Sequence, residues 1–429
     1  MITDLQAKKK RIAVLGLGYV GLPLALEFAR KYSVIGFDIN DSRIAQMRNK
    51  IDPSQELEKE AFDDCDIEFT SNQDDLRRAH FFIITVPTPI DNHNIPNLEP
   101  LLLATHLVAE VLKKGDYVVF ESTVYPGATE EECVPILKKI SKLKFGSDFK
   151  IGFSPERINP GDKENSLVNV LKIVSGNDDE ALETIAELYS SIIKKGVYKA
   201  SSIKVAEAAK IIENTQRDVN IALVNELSML FAKMGINTNE VIEAAATKWN
   251  FYKLTPGLVG GHCIGVDPYY LTYKASQLKH PARLISAGRA INDEMPTYVA
   301  HTILKKLNNA GKVLKNSRVL VMGATFKENV SDIRNSKIFD VVKELQSFNV
   351  QGDIIDPHAD AEQAKEYYGC TIVPEPTGVY DAIVVAVKHK EYENLPEEFF
   401  RKYVNPPFIL IDLKSAYYNK FQDVVYFSL

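Results

Sequence analysis

The sequence predicts an α/β fold with a doubly wound parallel sheet at its amino end, a long helix in the middle and a second, smaller α/β domain at its carboxyl end. Short apolar runs alternate with amphipathic stretches up to about residue 200, a run of 34 residues from Ser201 to Met234 holds neither Gly nor Pro, and the alternation returns from Ser317 onward. In the first region Ile12 to Leu15, Val34 to Phe37, Phe81 to Ile84 and Tyr117 to Phe120 read as strands buried on both faces. Ser201 or Ser202 can cap the long helix and Gly235 can end it, a length of roughly 50 Å at about 1.5 Å per residue. Further helical text runs to about Gly311. Strands then return at Val319 to Met322, Gly352 to Asp356, Ala382 to Val387 and Phe408 to Asp412. The expected division is therefore 1–200, 201–311 and 312–429. A helix this long cannot bury itself against one small domain, so it is expected to be a spine and a contact between copies, giving a homodimer or higher homo-oligomer.

The chain has 429 residues, 45% of them hydrophobic and 25% charged, enough to bury substantial cores. A net charge of -6 argues against a nucleic-acid or anionic-membrane partner, so any phosphate must be held by local devices. Cys65, Cys133, Cys263 and Cys370 are scattered with no CxxC pair, which suggests neither a disulfide framework nor a zinc ribbon and fits a cytoplasmic setting. Lys8 to Arg11 followed by the uncharged run Ile12 to Leu26 resembles a signal peptide. The run is too short to span a bilayer and carries three glycines, so it reads as strand, loop and helix.

Those glycines belong to Gly16-Leu17-Gly18-Tyr19-Val20-Gly21, which follows one predicted strand and opens a predicted helix. Gly16 permits the tight turn, Gly18 lets backbone approach a pyrophosphate, and Gly21 lets helix and strand pack closely. The helix N-terminus, with Tyr19 and Val20 leading into it, offers free N–H groups to phosphate. Asp38 ends the second strand 17 residues after Gly21, where a carboxylate binds ribose hydroxyls and repels a 2′-phosphate. NAD is therefore expected, although Arg43 lies near the adenosine side and keeps NADP open. Thr88 and Thr123, in the loops after two other strands, are candidates to donate hydroxyls to the cofactor.

Lys210, Asn214 and Arg217 stand at i, i+4 and i+7 on the long helix and share one stripe. Lysine and asparagine on one face suit an oxyanion or a held water, and arginine suits a sugar or phosphate oxygen. The alternative is a solvated face with ordinary ion pairs. In Gly257-Leu258-Val259-Gly260-Gly261-His262-Cys263-Ile264-Gly265-Val266-Asp267-Pro268, four glycines surround one cysteine. A helix starting after Pro268 would help lower its thiol pKa; the alternative is a small core cysteine. His262 reads as structural, with no metal. A thiolate becomes useful beside a nicotinamide domain when an aldehyde must be captured, oxidised again and hydrolysed, which points to a four-electron oxidation.

The chain resembles, over essentially its whole length, the UDP-glucose/GDP-mannose (nucleotide-sugar 6-) dehydrogenase family. It is most similar to the branch acting on UDP-N-acetylhexosamines (GlcNAc or GalNAc). The matching text is Gly16 to Pro23, Glu121 to Gly127, Ser154 to Gly161, Lys204 to Glu226, Pro256 to Leu271 and Thr325 to Ser336. The resemblance implies two Rossmann-like doubly wound domains joined by a central long helix. It also implies oxidation of the C6 alcohol of a UDP-sugar to the uronic acid with NAD, for capsule or O-antigen biosynthesis. Cys263 would be the nucleophile, Lys210 and Asn214 the oxyanion donors, and Asp267 a proton-transfer group or a partner of Lys210. Glu156 and Thr123 would position the hydrolytic water. Arg157, Ile158 and Arg217 would line the sugar site, with Lys248 and Asn250 helping to choose the sugar and Gly260 also binding substrate. Phe326 and Lys327 would contact UDP, and Arg334 would reach NAD. UDP-glucose enzymes of the family carry a second glutamate where this chain has Pro160, and Ser-Cys where it has His262-Cys263. Both departures favour an N-acetyl sugar, with UDP-ManNAc, UDP-glucose and GDP-mannose as the alternatives.

Overall fold

The computed structural model describes residues 1–54, 56–91, 93–158 and 166–429, so Pro160 lies outside the described residues. The chain folds into two compact units, one of residues 1–213 and 269–280, the other of residues 214–268 and 281–429.

The first unit is built on eight strands: β1 (Arg11–Leu15), β2 (Val34–Phe37), β3 (Ile67–Thr70), β4 (Ala79–Ile84), β5 (Asp116–Phe120), β6 (Phe149–Phe153), β7 (Lys172–Gly176) and β8 (Val197–Lys199). Their order is β3-β2-β1-β4-β5-β6-β7-β8, which reverses direction at β1 and β4, the point where doubly wound sheets bind dinucleotides. All neighbours run parallel except β6 and β7, which are antiparallel through Gly152–Gly176 and Phe153–Ser175. The central strands are buried on both faces, as their unbroken apolar text requires.

The second unit carries five parallel strands, β9 (Arg318–Met322), β10 (Gln351–Ile355), β11 (Ala382–Val385), β12 (Phe408–Asp412) and β13 (Val424–Phe427), in the order β10-β9-β11-β12-β13. This repeats the winding around β1, and the local devices repeat too. Gly16 and Gly323, each just past the first strand of its sheet, have φ of +91° and +102°. A Cβ on Gly16 would lie 2.9 Å from Val86, past the neighbouring strand; on Gly323 it would lie 2.5 Å from Val387, in the same relative place. Asp38 and Asp356, past the second strands, accept backbone N–H groups from Leu17 at 3.0 Å and Ala324 at 2.6 Å.

The helix Ile203–Met234 runs 32 residues. Ser202 caps it, its hydroxyl accepting the Val205 N–H at 3.2 Å, and Gly235 leaves it with φ +72°. Early in this helix, in the first unit, Glu207 is fully buried and accepts the N–H groups of Gly127 at 2.5 Å and Thr129 at 2.9 Å. It thereby anchors the end of the Glu121 to Gly127 segment. Burial of its charge outweighs the two N–H donors and pushes its carboxyl up to about 7.

That shift predicts a pH dependence of stability. The folded chain keeps a proton on Glu207 that the unfolded chain releases near the ordinary glutamate range, so this contribution is present at low pH and is lost as pH rises through about 7. Chemical denaturation between pH 5 and 8 should show it as a slope of at most about 1.4 kcal/mol per unit, flattened in Glu207→Gln. An unchanged slope in the variant would assign the effect elsewhere.

Candidate active site

The first unit presents a dinucleotide edge at the carboxyl ends of β1, β2 and β4. A Cβ on Gly21 would sit 2.0 Å from the Gly16 carbonyl and 2.3 Å from the Thr85 hydroxyl, so the helix Gly21–Ala29 packs against the strand only without a side chain there. At Gly18 a Cβ would meet nothing within 4 Å, leaving open space over the turn. Arg43 donates to the Leu17 carbonyl at 2.8 Å, bracing the turn whose Leu17 N–H is held by Asp38. These residues fit a dinucleotide: a turn with an open face, a helix N-terminus, and an acidic side chain beside it. Thr88, expected to donate to the cofactor, gives its hydroxyl proton to the Thr123 carbonyl at 2.6 Å, and the Tyr270 hydroxyl donates to the Thr88 carbonyl. The two threonine loops are thus joined to each other.

Next to that edge lies a cluster of which sequence reading named only Glu156 as a site residue. Lys172, the first residue of β7, is buried with its ammonium 2.6 Å from Glu121 and 3.4 Å from Glu156. The Tyr189 hydroxyl donates to the other oxygen of Glu121. Glu156 also accepts the N–H groups of Arg157 at 2.6 Å and Ile158 at 2.5 Å. Burial, joined by the charge of Glu156, pushes the Glu121 carboxyl up; burial opposes the Lys172 charge, but the two glutamates hold its pKa above the ordinary lysine value. Arg157 pairs with Glu213 at 2.8 Å.

The second unit carries the cysteine loop. Asn214 and Asp267 are both buried, and the Asn214 amide donates to the Asp267 carboxylate at 2.6 Å. Asp267 opens the helix Asp267–Gln277, one residue earlier than Pro268 suggested, and its N–H donates to the Cys263 carbonyl at 2.8 Å. Asn225, lower on the long helix, holds the start of the loop by bonds to both the N–H (2.8 Å) and the carbonyl (3.0 Å) of Gly257. The other side of the loop lies on the Thr325 to Ser336 segment. The Asn335 amide donates to the Gly261 carbonyl at 2.9 Å, and a Cβ on Gly261 would reach 2.8 Å from the Phe326 ring. His262 lies 3.3 Å from Asp332, which Arg334 also grips through a two-point fork at 2.9 Å and 2.9 Å. Hydrogen bonds from His262 and Arg334, joined by the Arg334 charge, hold the Asp332 carboxyl well below its ordinary value despite its burial.

A cleft opens beside that segment, lined among others by Gly260, Phe326, Lys327, Glu328, Lys337 and Lys414. Its three lysines outnumber the one glutamate, although Lys337 lies 3.1 Å from Asp340 and Lys414 3.9 Å from Glu328, so the cleft is locally positive in a chain of net charge -6. Lys337 and Lys414 carried no signal in the sequence, because neither belongs to a spacing pattern with the others. Lys248 and Asn250 are exposed and Arg217 is half-buried. Among the described residues, His358, His389 and Glu391 stand close enough to suggest a metal. His389, however, accepts the Asn329 N–H at 3.0 Å on one nitrogen and faces Asp356 at 3.0 Å with the other, so it ties loops together.

The NAD binding domain, central domain and UDP binding domain of the UDP-glucose/GDP-mannose dehydrogenase family match residues 10–193, 204–294 and 320–419. The chain belongs to this family. It is an NAD-dependent nucleotide-sugar dehydrogenase, and the lysine cleft falls within the match to the family's UDP binding domain. It is 53% identical to a UDP-N-acetyl-D-glucosamine 6-dehydrogenase of Pseudomonas aeruginosa over 95% of this chain and 97% of that one. Protein CapL of Staphylococcus aureus is 50% identical over 95% of this chain and 96% of its own. The solved UDP-D-ManNAc dehydrogenase from Pyrococcus horikoshii superposes with a TM-score of 0.89 at 32% identity, covering 97% of this chain and 98% of that chain. Among the described residues no helix is long and apolar enough to cross a membrane.

In this family member the position of Asp38 gives a direct test. Its carboxylate, at the end of β2, leaves no room for a 2′-phosphate without like-charge repulsion. NAD should therefore be used at least about tenfold more efficiently than NADP, and Asp38→Ala should narrow the gap while loosening the Leu17 turn. Steady-state kcat/KM with both cofactors checks this; equal values in the unmodified enzyme would contradict it.

Proposed function

We propose that this dehydrogenase oxidises the C6 alcohol of a UDP-N-acetylhexosamine, UDP-GlcNAc or UDP-GalNAc, to the uronic acid through a covalent bond to Cys263, supplying a capsule or O-antigen pathway. The observation that carries this is Cys263 in a glycine-rich loop fastened to Asn214 through Asp267, in a chain that also has a dinucleotide domain. Bound NAD supplies the hydride acceptor for each two-electron oxidation; Gly16, Gly18, Tyr19, Val20, Gly21, Asp38, Arg43, Thr88, Thr123 and Arg334 are the residues proposed to hold it.

Cys263 as thiolate adds to the C6 aldehyde, forming a C–S bond and placing the electron pair on oxygen. Lys210 and Asn214, one turn apart on the long helix, offer donors to that oxygen, each worth about 2–4 kcal/mol. Asp267 fixes Asn214 with its carbonyl end turned away from the carboxylate, so the amide hydrogens define its orientation. After the second oxidation the carbon is held as a thioester. Water positioned by Glu156 and Thr123 attacks it, the C–S bond breaks, and the electron pair returns to sulfur. Arg157, Ile158, Arg217, Lys248, Asn250 and Gly260 are proposed for the sugar, and Phe326 and Lys327 for UDP.

The choice of N-acetyl sugar rests on His262, Pro160 and the higher identity to the UDP-N-acetyl-D-glucosamine enzyme (53%) than to the solved UDP-D-ManNAc enzyme (32%). The proposed functional division remains 1–200, 201–311 and 312–429. Assembly as a dimer or higher oligomer is supported by an apolar stripe on the long helix. Ile212, Leu223, Leu230 and Met234 are 60%, 55%, 50% and 58% exposed, and their spacings of 11, 7 and 4 keep them on one face. The cytoplasm suits cysteines none of which is in a disulfide.

Two measurements test the proposal. The native enzyme should yield two NADH per sugar with UDP-GlcNAc or UDP-GalNAc at a higher kcat/KM than with UDP-glucose or UDP-ManNAc, and Cys263→Ala should lose uronate formation while still binding NAD. Near-native uronate from Cys263→Ala would end the covalent mechanism, and a preference for UDP-glucose would end the substrate assignment. Light scattering at micromolar concentration should give a dimer or larger, with Leu223→Glu plus Leu230→Glu shifting it toward monomer; a stable, active native monomer would refute the assembly.

A further inference from the structure

Lys172 and Glu121 take no part in the chemistry proposed so far, yet they join the two segments that chemistry relies on. Glu121 is the first residue past β5 and opens the segment that carries Thr123; Glu156 lies past β6. Lys172 is the first residue of β7 and in a parallel sheet would stand at the opposite edge. Because β7 alone runs antiparallel to its neighbour β6, with Gly152 facing Gly176 and Phe153 facing Ser175, its start is carried to the carboxyl edge. There its ammonium meets Glu121 and Glu156 and lies 5.9 Å from the centre of the Tyr189 ring.

We infer that Lys172 is a positioning residue for the hydrolytic half of the reaction, holding Glu156 oriented while Glu121 ties the ammonium to the Thr123 segment. This rests on the roles proposed above for Glu156 and Thr123. One oxygen of Glu156 is fixed by the two backbone N–H groups, and the ammonium sits on the other, 3.4 Å away. The charged and titratable groups facing Lys172 are Glu121, Glu156 and the Tyr189 hydroxyl, which donates to Glu121. Two carboxylates share one buried cation, and the nearer, Glu121, is the anchor. Without the ammonium, the second oxygen of Glu156 loses its partner and the carboxylate is no longer held toward the water. The same cluster explains why a lysine lies fully buried: its charge has partners on two neighbouring strand ends.

The test compares native enzyme, Lys172→Arg, and Lys172→Met combined with Glu121→Gln, the pairing that avoids a second unpartnered buried carboxylate. Each is assayed with UDP-GlcNAc and NAD from pH 5 to 9, with stopped-flow NADH release and mass measurement of the Cys263 peptide. In the double variant kcat should fall at least about tenfold while both KM values stay within about threefold, the first-turnover NADH burst persists, and the sugar adduct on Cys263 accumulates. Lys172→Arg, which keeps the charge, should retain kcat within about threefold and show no accumulated adduct. Native kcat without accumulated adduct in the double variant would overturn the inference, as would an equal loss in Lys172→Arg. If the double variant does not fold, Lys172→Gln is assayed in the same way, and native kcat without accumulated adduct there would overturn the inference. A native enzyme giving one NADH per sugar would instead refute the proposed reaction, whatever the variants do.

Discussion

The carboxyl edges of both sheets depend on one close approach between backbones. Past β1 the chain must turn sharply beside the residue that follows β4, and past β9 it must do the same beside the residue that follows β11. Gly16 and Gly323 are the only solutions at those points, since a Cβ would collide with Val86 or Val387. Once the turn is made, its N–H groups need an acceptor, and Asp38 or Asp356 supplies one from the end of the adjacent strand. The same physics then serves different ends. In the first unit the carboxylate remains partly accessible beside an open turn. In the second it is fully buried against His389.

A second theme is that buried polar and charged groups do the fixing within each unit. Glu207 fastens the end of the Thr123 segment, Lys172 joins Glu121 to Glu156, and Asp267 orients Asn214. Asp332 shares its charge between His262 and Arg334, so the cysteine loop and the segment carrying Phe326 and Lys327 are tied together. Each of these groups lies on a strand end, a helix or a braced loop. Charged pairs of this kind add little net stability when desolvation is counted, but losing one partner leaves an uncompensated charge, which makes the arrangement specific.

Much of this was legible in the sequence. The strands β1, β2, β4, β5, β9, β11 and β12 were visible because burial on both faces leaves a run of apolar residues in each, and β10 because Ile354 and Ile355 end it on a buried apolar pair. The long helix was visible because 34 residues lack Gly and Pro, and the glycine turn and cysteine loop because their backbone geometry admits few other residues. The strands that escaped notice are those whose text is mixed: β3 at the sheet edge, β6 with Lys150, β7 opening on Lys172, the three-residue β8, and β13. In these, a charged or short segment satisfies its environment through a partner that lies far away in sequence.

The sequence by itself determined the two α/β halves, the helix between them, the dinucleotide turn with its acidic strand end, and the presence of a cysteine nucleophile candidate, because each is a local constraint on backbone shape or burial. Tertiary structure decided which side chains meet. It reversed β7 so that Lys172 arrives at the carboxyl edge, gave the Thr88 hydroxyl to the Thr123 carbonyl, set Asn214 against Asp267, and gathered Lys337 and Lys414 with Lys327 around one cleft. Those pairings join residues tens of positions apart, and no local periodicity records them. They depend on strand order and direction, which the packing of the whole unit selects.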